Sequence, residues 1–309
     1  MVSTETERVD VCAIVVSHNS REWLDAALGT LAAHAGGVTL EAIVVDNGDD
    51  GAGDYAESRY PFVRAIRCEN RGFGHANNRG LELADARFVL FLNPDTEFVT
   101  GGLDALVVAM ERMPDVGLAG VRQLRGDDSL APTMRRFPSV PRAFAEALPV
   151  ERVPGVRRIF GERVLDPYDY ERIVECDWTS GSFMFARSAA IEETGGFDER
   201  FFLFSEETDL CWRIHWDGWR IVHVPDVTIR HHEQEHRANP ALWAQSAYAR
   251  LQFARKNLRC PRAYRVALAL RYGVRLCLYS LPGKRTNVAR RDASRAALQA
   301  VVHERAPLP

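Results

Sequence analysis

Phe88-Val-Leu-Phe-Leu-Asn-Pro-Asp-Thr-Glu97 joins an apolar run to a polar turn. The five apolar residues that open it predict a strand buried on both faces, as in a parallel sheet. Proline cannot donate a backbone hydrogen bond and forces the preceding residue into an extended conformation, so the strand should end before Pro94. Asp95 and Glu97 then project from the carboxyl end of a central strand, where open α/β sheets bind their ligands.

The acidic residues of this turn suit a metal site. Mg²⁺ and Mn²⁺ favour oxygen ligands and bridge phosphate oxygens, so a carboxylate at Asp95 can hold a divalent metal against a diphosphate. A solvated turn after a strand would carry the same residues, and this stretch alone is compatible with either interpretation.

Strand-and-helix units precede the turn. Residues 11–16 and 41–46 are apolar runs that end beside polar or acidic residues, and a short strand is predicted near 63–67. Ser20 can cap a helix between the first two strands. Alternating strands and helices with polar strand ends predict an α/β fold, a doubly wound and mostly parallel sheet flanked by helices.

A glycine-containing turn follows the third strand. Its Gly72-Phe-Gly74 lacks the third glycine of a dinucleotide fingerprint, because position 77 is Asn, which argues against a nicotinamide cofactor. The turn should instead open a helix and set polar residues near an anion. These are Asn70, Arg71, Asn77 and Asn78. A plain capped turn is the alternative.

Composition limits the possible classes of protein. The 309 residues are 46% apolar and 26% charged, enough for a large core, and no apolar run reaches the length of a membrane-spanning helix. The polar, acidic first ten residues are not a secretory signal. Six cysteines without CxxC spacing indicate reduced thiols in a cytosolic setting.

Charge is distributed unevenly. Residues 250–309 hold 14 Lys/Arg and 2 Asp/Glu, a net of +12, and the other 249 residues carry a net of −15. A basic tail implies an anionic partner, either membrane lipid or nucleic acid. The acidic body and the lack of interleaved aromatic and basic residues argue against nucleic acid.

The middle of the chain should contain a helix at about 102–113, a strand near 117–121 and a long irregular segment over 125–175 that includes Arg135-Arg-Phe-Pro138. Loops of this length are usually functional or disordered. A turn then leads into a buried strand within 177–186.

Two adjacent acids open the next predicted helix. Glu206 and Glu207 lie at its start, where the helix dipole favours carboxylates. Either acid is a capping residue or, beside a donor sugar, the general base for an acceptor hydroxyl. The apolar positions of this helix are expected to be mostly buried. They are Leu210, Trp212, Ile214 and Trp216.

His231 and His232 follow a strand predicted at 221–225. They are metal ligands or structural histidines. In the predicted helix 262–281, Arg262, Arg265, Arg271 and Arg275 fall on one half of the helical wheel. That pattern is typical of a basic amphipathic helix on an anionic membrane surface. The alternative is a helix packed on the body with a solvated arginine face.

Taken in order, these segments resemble the inverting family 2 glycosyltransferases of the GT-A fold over residues 10–235. Within that family the chain is most similar to bacterial rhamnosyltransferases that act on polyprenyl-diphosphate-linked acceptors. The segments that carry the resemblance are 15–19, 44–48, 70–80, 93–96, 178–182, 195–198, 204–210 and His231.

The resemblance implies roles for individual residues. It implies that Asp46 holds the base or ribose, that Val16 and Ser17 lie beside the base, and that Asn93 stands at a DxD-like site. It implies that Asp95 holds the metal and diphosphate. The remaining implied roles are these: nucleotide-sugar binding for Asn70, Arg71, Gly72 and Asn77; metal or phosphate binding for His231; the base for Glu207, paired with Glu206; and acceptor binding for Trp178, Ser180 and Gly181.

The resemblance also implies an activity. The expected reaction moves a sugar, rhamnose from TDP-rhamnose, to a glycan or polyprenyl-diphosphate-linked acceptor in cell-envelope synthesis, with Mn²⁺ or Mg²⁺ as cofactor. The expected location is the cytoplasmic face of the plasma membrane, bound through residues 250–305, and the oligomeric state stays open. Alternatives are a UDP- or GDP-sugar donor, or a silent sugar-nucleotide or glycan binder.

The expected organisation is a nucleotide-sugar-binding half at 1–125 and an acceptor-binding and catalytic half of the same domain at 126–245. A basic helical extension at 246–309 completes it.

Overall fold

The computed structural model describes residues 8–148, 154–232, 239–281 and 287–308. Its first half alternates strands and helices, as expected from the apolar runs. The elements are β1 (Val9–Ser17), α1 (Arg21–Ala33), β2 (Leu40–Asp46), α2 (Ala52–Arg59), β3 (Val63–Arg67), α3 (Phe73–Leu81) and β4 (Ala86–Leu92).

These strands form one half of the sheet, in the order β3-β2-β1-β4, and every pairing among them is parallel. Residues 12–15 of β1 pair with residues 89–92 of β4, and all eight are apolar and almost fully buried. Strand β4 ends at Leu92, directly before Asn93 and Pro94, as predicted. The carboxyl ends of β1, β2 and β4 therefore meet at one edge.

The second half is built from shorter elements. They are β5 (Thr96–Thr100), α4 (Leu103–Arg112), β6 (Val116–Arg125), α5 (Val140–Ala147), α6 (Pro154–Phe160), a 3₁₀ helix (Pro167–Glu171), β7 (Val174–Glu175), β8 (Phe183–Arg187), α7 (Ser188–Thr194), α8 (Glu206–Trp216) and β9 (Arg220–His231). The sheet continues from β4 as β8-β6-β9-β5. Strand β8 is antiparallel to β4 and β6, whereas β6 and β9 are parallel, so this half of the sheet is mixed.

The segment 125–175 is not irregular throughout, contrary to expectation, because it contains α5, α6 and the 3₁₀ helix. Ser139 caps α5 by accepting a hydrogen bond from the Arg142 amide, and a proline follows in the first turn. Ala143 and Ala147 are buried on the inner face of α5, and Ala143 belongs to the apolar core of the C-terminal helices. Tertiary burial thus stabilises a helix that proline and arginine content obscured.

Three helices follow the sheet. They are α9 (Pro240–Asn257), α10 (Pro261–Ser280) and α11 (Val288–His303). The arginine face of α10 is only partly open to solvent, because Arg262 is exposed but the three arginines after it have partners on the protein. Arg271 is ion-paired with Glu146 of α5, Arg265 is ion-paired with Glu304, and the Arg275 guanidinium lies 5.9 Å from the Trp243 ring centre.

The exposed large apolar side chains of α10 and the residue after it are Val266, Leu270, Leu278 and Leu281. The helical wheel grouped these arginines correctly, but two of them form ion pairs with carboxylates that are distant in sequence. No helix among the described residues is both long enough and apolar enough to cross a bilayer.

A buried ionic network joins this bundle to the body. Arg250 on α9 donates to Glu162 at 2.6 and 3.2 Å and to Glu146 at 3.1 Å, and Arg271 on α10 binds the same Glu146. Because each carboxylate is bound by at least one arginine, the charges compensate one another out of water. The Arg250–Glu146–Glu162–Arg271 network therefore joins α5, α9, α10 and the chain after α6.

Candidate active site

The turn after β4 lies against the end of β9. Asp95 Oδ1 is 3.1 Å from His231 Nε2, and Asn93 Nδ2 is 3.3 Å from the same nitrogen. The antiparallel pairing of Thr96 with His231 produces this contact, because it places the turn beside the end of the partner strand. The two residues predicted as metal ligands, 136 positions apart in the sequence, are thus brought together.

The donor set of this pair fits a divalent cation. A carboxylate oxygen and an imidazole nitrogen both ligate first-row metals, and the remaining positions of a Mn²⁺ site suit phosphate oxygens and water. No group of three or more His, Cys, Asp or Glu side chains within the described ranges could hold a metal by itself.

The loop after β2 is organised by Asp46. This side chain is 1% exposed, and its two carboxylate oxygens accept hydrogen bonds from the amides of Gly48 and Gly53, each at 3.0 Å. Ser17, its register partner on β1, has a buried hydroxyl without a hydrogen bond. Asp46 therefore holds the loop in shape at the predicted nucleotide site.

The predicted cap of α1 differs in one detail. The helix begins after Ser20, but the Ser20 hydroxyl donates to the His18 carbonyl and does not cap the helix. Asp50 of the loop after β2 accepts from the Arg21 amide at 2.9 Å instead. The first helix is thereby tied to the loop that Asp46 organises.

The glycine turn packs against the loop before α8. Gly72 has φ 109°, and a Cβ at this position would lie 2.2 Å from the carbonyl oxygen of Phe202, which accepts from the Phe73 amide at 2.9 Å. Glycine is required here both for the positive φ and for this close approach. Asn70 and Arg71 are exposed just before it.

Asn77 lies one turn into α3 and is 1% exposed. Its amide nitrogen donates to the Phe73 carbonyl at 2.9 Å, and its side-chain oxygen is buried without a partner. The polar residues of this segment thus form a surface part, Asn70 and Arg71, and an enclosed part, Asn77.

The acidic pair sits in a strained turn at the start of α8. Phe204 and Ser205 have φ values of 68° and 66°, which are uncommon for residues other than glycine and characteristic of functional sites. Glu206 is 4% exposed and lies under Gly74, whose added Cβ would be 3.7 Å from the Glu206 Cβ. Glu207 is more open and packs on Gly181, with 3.5 Å between an added Cβ and its own Cβ.

Burial raises the pKa of both carboxyl groups. For Glu206 the pKa lies well above its ordinary value, through burial and then through the negative charge of Glu207. For Glu207, burial raises the pKa, while backbone hydrogen bonds and the charge of Arg135 oppose the shift. One oxygen of each side chain, Oε2, is buried without a hydrogen-bond partner. Glu207, the acid that packs on Gly181, is thus the one whose upward shift in pKa is opposed by a nearby arginine.

The acceptor-side residues form a connected strip. Trp178 donates from its indole nitrogen to the Arg136 carbonyl at 3.1 Å. Ser180 contacts Ser182 at 3.1 Å between hydroxyl oxygens, and the Ser182 carbonyl accepts from the Asn93 amide at 3.0 Å. The strip therefore runs from the tryptophan past Glu207 to the turn that carries Asp95.

Sequence reasoning missed Arg135. Its guanidinium lies 5.7 Å from the Trp178 ring centre, and its backbone amide donates to the Trp178 carbonyl at 2.9 Å. Burial and then the charge of Arg163 lower the pKa of Arg135 to about 10. The only signal in the sequence was the Arg135-Arg136-Phe137-Pro138 run inside a segment interpreted as irregular.

The prediction for α8 was wrong at one position. Trp216 is 68% exposed, because the buried face of the helix runs through Leu210, Cys211 and Ile214. Trp212 is half-buried and packs against Phe137 and Phe253.

The candidate residues fall into two groups. One contains Asn93, Asp95, His231, Glu206, Glu207 and the strip 178–182. The other surrounds Asp46, two strands away from β4, which corresponds to about 10 Å at the spacing of neighbouring strands.

Comparison with known proteins finds two matching families and several relatives. The family described as Glycosyl transferase family 2 matches residues 12–171, and one described as Glycosyltransferase (GlcNAc) matches residues 130–304. An N-acetylglucosaminyl-diphospho-decaprenol L-rhamnosyltransferase of Mycobacterium tuberculosis is 36% identical over 63% of this chain and 67% of its own. Rhamnosyltransferase WbbL of Escherichia coli is 26% identical over 72% and 83%.

Solved structures share the fold. GalNAc-T7, crystallised with UDP, GalNAc and Mn²⁺, superposes with a TM-score of 0.62 at 11% identity, over 97% of this chain and 57% of that one. Mannosyltransferase PcManGT of Pyrobaculum calidifontis, in complex with GDP-Man and Mn²⁺, superposes with a TM-score of 0.56 at 18% identity, over 97% and 86%. The expected fold class is confirmed, and the chain belongs to glycosyltransferase family 2.

Proposed function

We propose that this glycosyltransferase moves rhamnose from TDP-rhamnose to a polyprenyl-diphosphate-linked sugar, with inversion at the anomeric carbon. The observation that carries the proposal is Glu207, a partly buried acid with an unpartnered carboxylate oxygen, which packs on Gly181 in the strip that reaches the turn of Asp95. Relatives that transfer rhamnose, one of them named for a diphospho-decaprenol acceptor, support the donor sugar and the acceptor class.

The mechanism assigns distinct work to the two acids. Glu207 accepts the proton of the acceptor hydroxyl as that oxygen attacks the anomeric carbon from the face opposite the leaving diphosphate. Glu206, whose pKa is raised further, keeps its proton and leaves the negative charge to its neighbour. The strip Trp178–Gly181 orients the acceptor sugar so that its hydroxyl faces Glu207.

Asp95 and His231 would hold the divalent cation, Mn²⁺ or Mg²⁺. When bound, such an ion neutralises negative charge on the departing nucleoside diphosphate. Asn93 Nδ2 lies 3.3 Å from His231 Nε2 and would give up this contact if that nitrogen ligated the cation.

The donor occupies the carboxyl ends of β1, β2 and β4 in this proposal, within residues 1–125. Val16, Ser17 and the Asp46 loop lie beside the nucleoside, and the Ser17 hydroxyl is a buried group without a hydrogen-bond partner among the described residues. Asn70, Arg71, Gly72 and Asn77 lie beside the sugar diphosphate. Residues 126–245 supply the acceptor side.

The C-terminal helices, 246–309, attach the enzyme to the cytoplasmic face of an anionic membrane, in agreement with a lipid-linked acceptor. We expect a different contact from the one that the helical wheel predicted, because Arg271 and Arg275 pack against other helices and Arg265 is ion-paired with Glu304. Val266, Leu270 and Leu278 of α10 enter the interface, and the exposed Arg259 and Arg262 lie near the headgroups. Flotation with phosphatidylglycerol vesicles, compared with phosphatidylcholine vesicles, tests this part, and equal recovery with both would contradict it.

The central test is calorimetric binding of TDP, UDP and GDP, each with and without Mn²⁺, followed by transfer assays. We expect metal-dependent binding of TDP above the others, and transfer from TDP-rhamnose with inversion. A preference for UDP or GDP would replace the rhamnosyl donor while retaining the transferase. Binding of a nucleotide without turnover on any acceptor would favour a silent binder.

A further inference from the structure

Four arginines surround the acceptor strip without a carboxylate partner. They are Arg135, Arg136, Arg142 and Arg163. Twenty-five ion pairs are found among the described residues, yet none includes any of these four. Guanidinium groups gathered without acids repel one another and suit an anion from outside.

The contacts of three of these arginines are with carbonyl groups. Arg135 donates to the carbonyls of Pro132 and Met134, Arg136 to Gly161 at 3.1 Å, and Arg142 to Phe137 at 2.8 Å. Such bonds orient a guanidinium but do not neutralise its positive charge.

Nearby acids offset part of the charge of Arg135 and Arg142 without forming an ion pair with either one among the described residues. They are Glu146, Glu162 and Asp177. Glu162 is bound by Arg250, and Asp177 Oδ2 accepts from the Phe137 amide at 2.6 Å. Burial and then the positive charge of Arg163 lower the pKa of Arg135, so the two arginines lie close enough to repel each other. The chain therefore maintains a cationic patch next to its predicted base.

Arg163 is the most accessible member of this patch. It is exposed, and a strand-like bridge pairs it with Arg135, which is bridged in turn to Trp178. The two arginines thus lie on a ladder that ends at the acceptor strip. An anion held by them would lie on the acceptor side of Glu207, away from the turn of Asp95.

An apolar surface lies immediately before Arg163. The last two residues of α6, Ile159 and Phe160, are 65% and 41% exposed. A cationic patch adjoining exposed apolar side chains matches an amphiphile that has an anionic head and an apolar chain.

The geometry points to Arg135 and Arg163 as the binding site for the diphosphate of a prenyl-diphosphate-linked acceptor, with Ile159 and Phe160 against the start of its prenyl chain. This inference rests on the proposed function for the identity of the acceptor. It adds a site that recognises the acceptor by charge and is separate from the donor diphosphate at Asp95. Arg135 and Arg163 bind and position the acceptor, and Glu207 keeps its role as base.

The test uses Arg163, because its exposed side chain can be replaced without opening the core. Calorimetry with farnesyl diphosphate is carried out in saturating TDP and Mn²⁺, which occupy the donor side. We expect Arg163→Ala to weaken farnesyl diphosphate at least tenfold, Arg163→Lys to restore part of the affinity, and TDP affinity to stay unchanged. Arg172→Ala is the matched control, because Arg172 is exposed and ion-paired with Asp169.

Transfer kinetics give a second measurement. For a short-chain N-acetylglucosaminyl-diphospho-prenol, Arg163→Ala should raise KM about tenfold with little change in kcat. For octyl N-acetylglucosaminide, which has no phosphate, kcat/KM should be unchanged. Equal losses on both acceptors, or farnesyl diphosphate affinity equal in Arg163→Ala and wild type, would overturn the inference.

These outcomes separate the inference from the proposed function. If TDP binds and transfer proceeds but Arg163 has no effect, the donor assignment stands and the acceptor site fails. If TDP does not bind while farnesyl diphosphate binding depends on Arg163, the site stands and the donor assignment fails.

Discussion

Charged groups have different surroundings on the two proposed sides of this enzyme, the donor side around Asp46 and the acceptor side around Glu206, Glu207 and Arg135. On the donor side, Asp46 is almost fully buried, and both of its carboxylate oxygens accept backbone hydrogen bonds. On the acceptor side, Glu206 and Glu207 each retain a buried oxygen without a partner, and Arg135 has no ion pair within the described ranges. Ser17 and Asn77, which have partnerless atoms on the donor side, are uncharged.

This difference distinguishes charged residues that hold the backbone in place from charged residues that are proposed to act on the substrate. Buried charge is costly when it is not compensated, so a chain retains it where a ligand or a proton transfer makes use of it. A carboxylate that is fully hydrogen-bonded holds backbone in place and has a stable charge. Substitutions on the donor side should therefore act mainly through stability, and substitutions on the acceptor side mainly through turnover.

The largest effect is expected from the base. Glu207→Gln removes the proton acceptor but keeps the shape, and kcat should fall about 10²- to 10⁴-fold with TDP affinity unchanged. Glu206→Gln mimics the protonated form that burial favours at Glu206, so its kcat should fall less than tenfold. Initial rates at saturating substrates distinguish the two variants, and the reverse order would move the base to Glu206.

Gly72→Ala should have the largest effect on stability. The new Cβ would meet the Phe202 carbonyl at 2.2 Å in a backbone region unsuited to alanine, so we expect a loss of about 2–4 kcal/mol in the free energy of unfolding. Gly37→Ala is the control, since nothing lies within 4 Å of its added Cβ. Urea unfolding measures both, and equal stabilities would show that the loop before α8 yields easily.

Asp46→Ala comes next in magnitude. It leaves the amides of Gly48 and Gly53 without their acceptors, which should cost about 2 kcal/mol of stability and weaken nucleotide binding through a loosened loop. Asp49→Ala, a change at an exposed residue of the same loop, should stay within about 0.5 kcal/mol of the wild type. If thermal unfolding of Asp46→Ala matched that of the control, the scaffold interpretation of Asp46 would be wrong.

The smallest effect is a displacement of the pH profile. A base acts in its deprotonated form, so activity is present above the pKa of Glu207 and is lost as pH falls through it. Because burial raises that pKa, the acid limb of kcat/KM should lie above the range of an ordinary glutamate. Glu206→Gln should leave the limb in place, and a limb at the ordinary glutamate value in the wild type would contradict the buried environment of Glu207.

Much of the sheet and part of the site could be predicted from local sequence. Strand β4 and its Asn-Pro terminus were readable because burial on both faces demands a continuous apolar run and proline ends the ladder. The contact of Asp95 with His231 was not local. It depends on β5 pairing with β9, and the resemblance to a known family supplied the expectation.

The errors share one physical cause. The helical wheel of α10 correctly grouped its arginines, yet their partners were Glu146, 125 positions from Arg271, and Glu304, 39 positions from Arg265. Periodicity shows which residues share a face and does not show what that face contacts. Trp216 was misplaced for the same reason, and Arg135 was overlooked because its neighbours come from distant segments.

The Arg250–Glu146–Glu162–Arg271 network determines which segments must be exchanged together when acceptor specificity is redesigned. The chain after α6 holds Glu162 and Arg163 side by side, and Glu162 is bound by Arg250 of α9. A chimera that imports residues 126–175 from a relative without α9 and α10 would leave buried charges mismatched across the junction. Residues 126–175 and the C-terminal helices should therefore be grafted together. The strands proposed to bind the donor can stay unchanged.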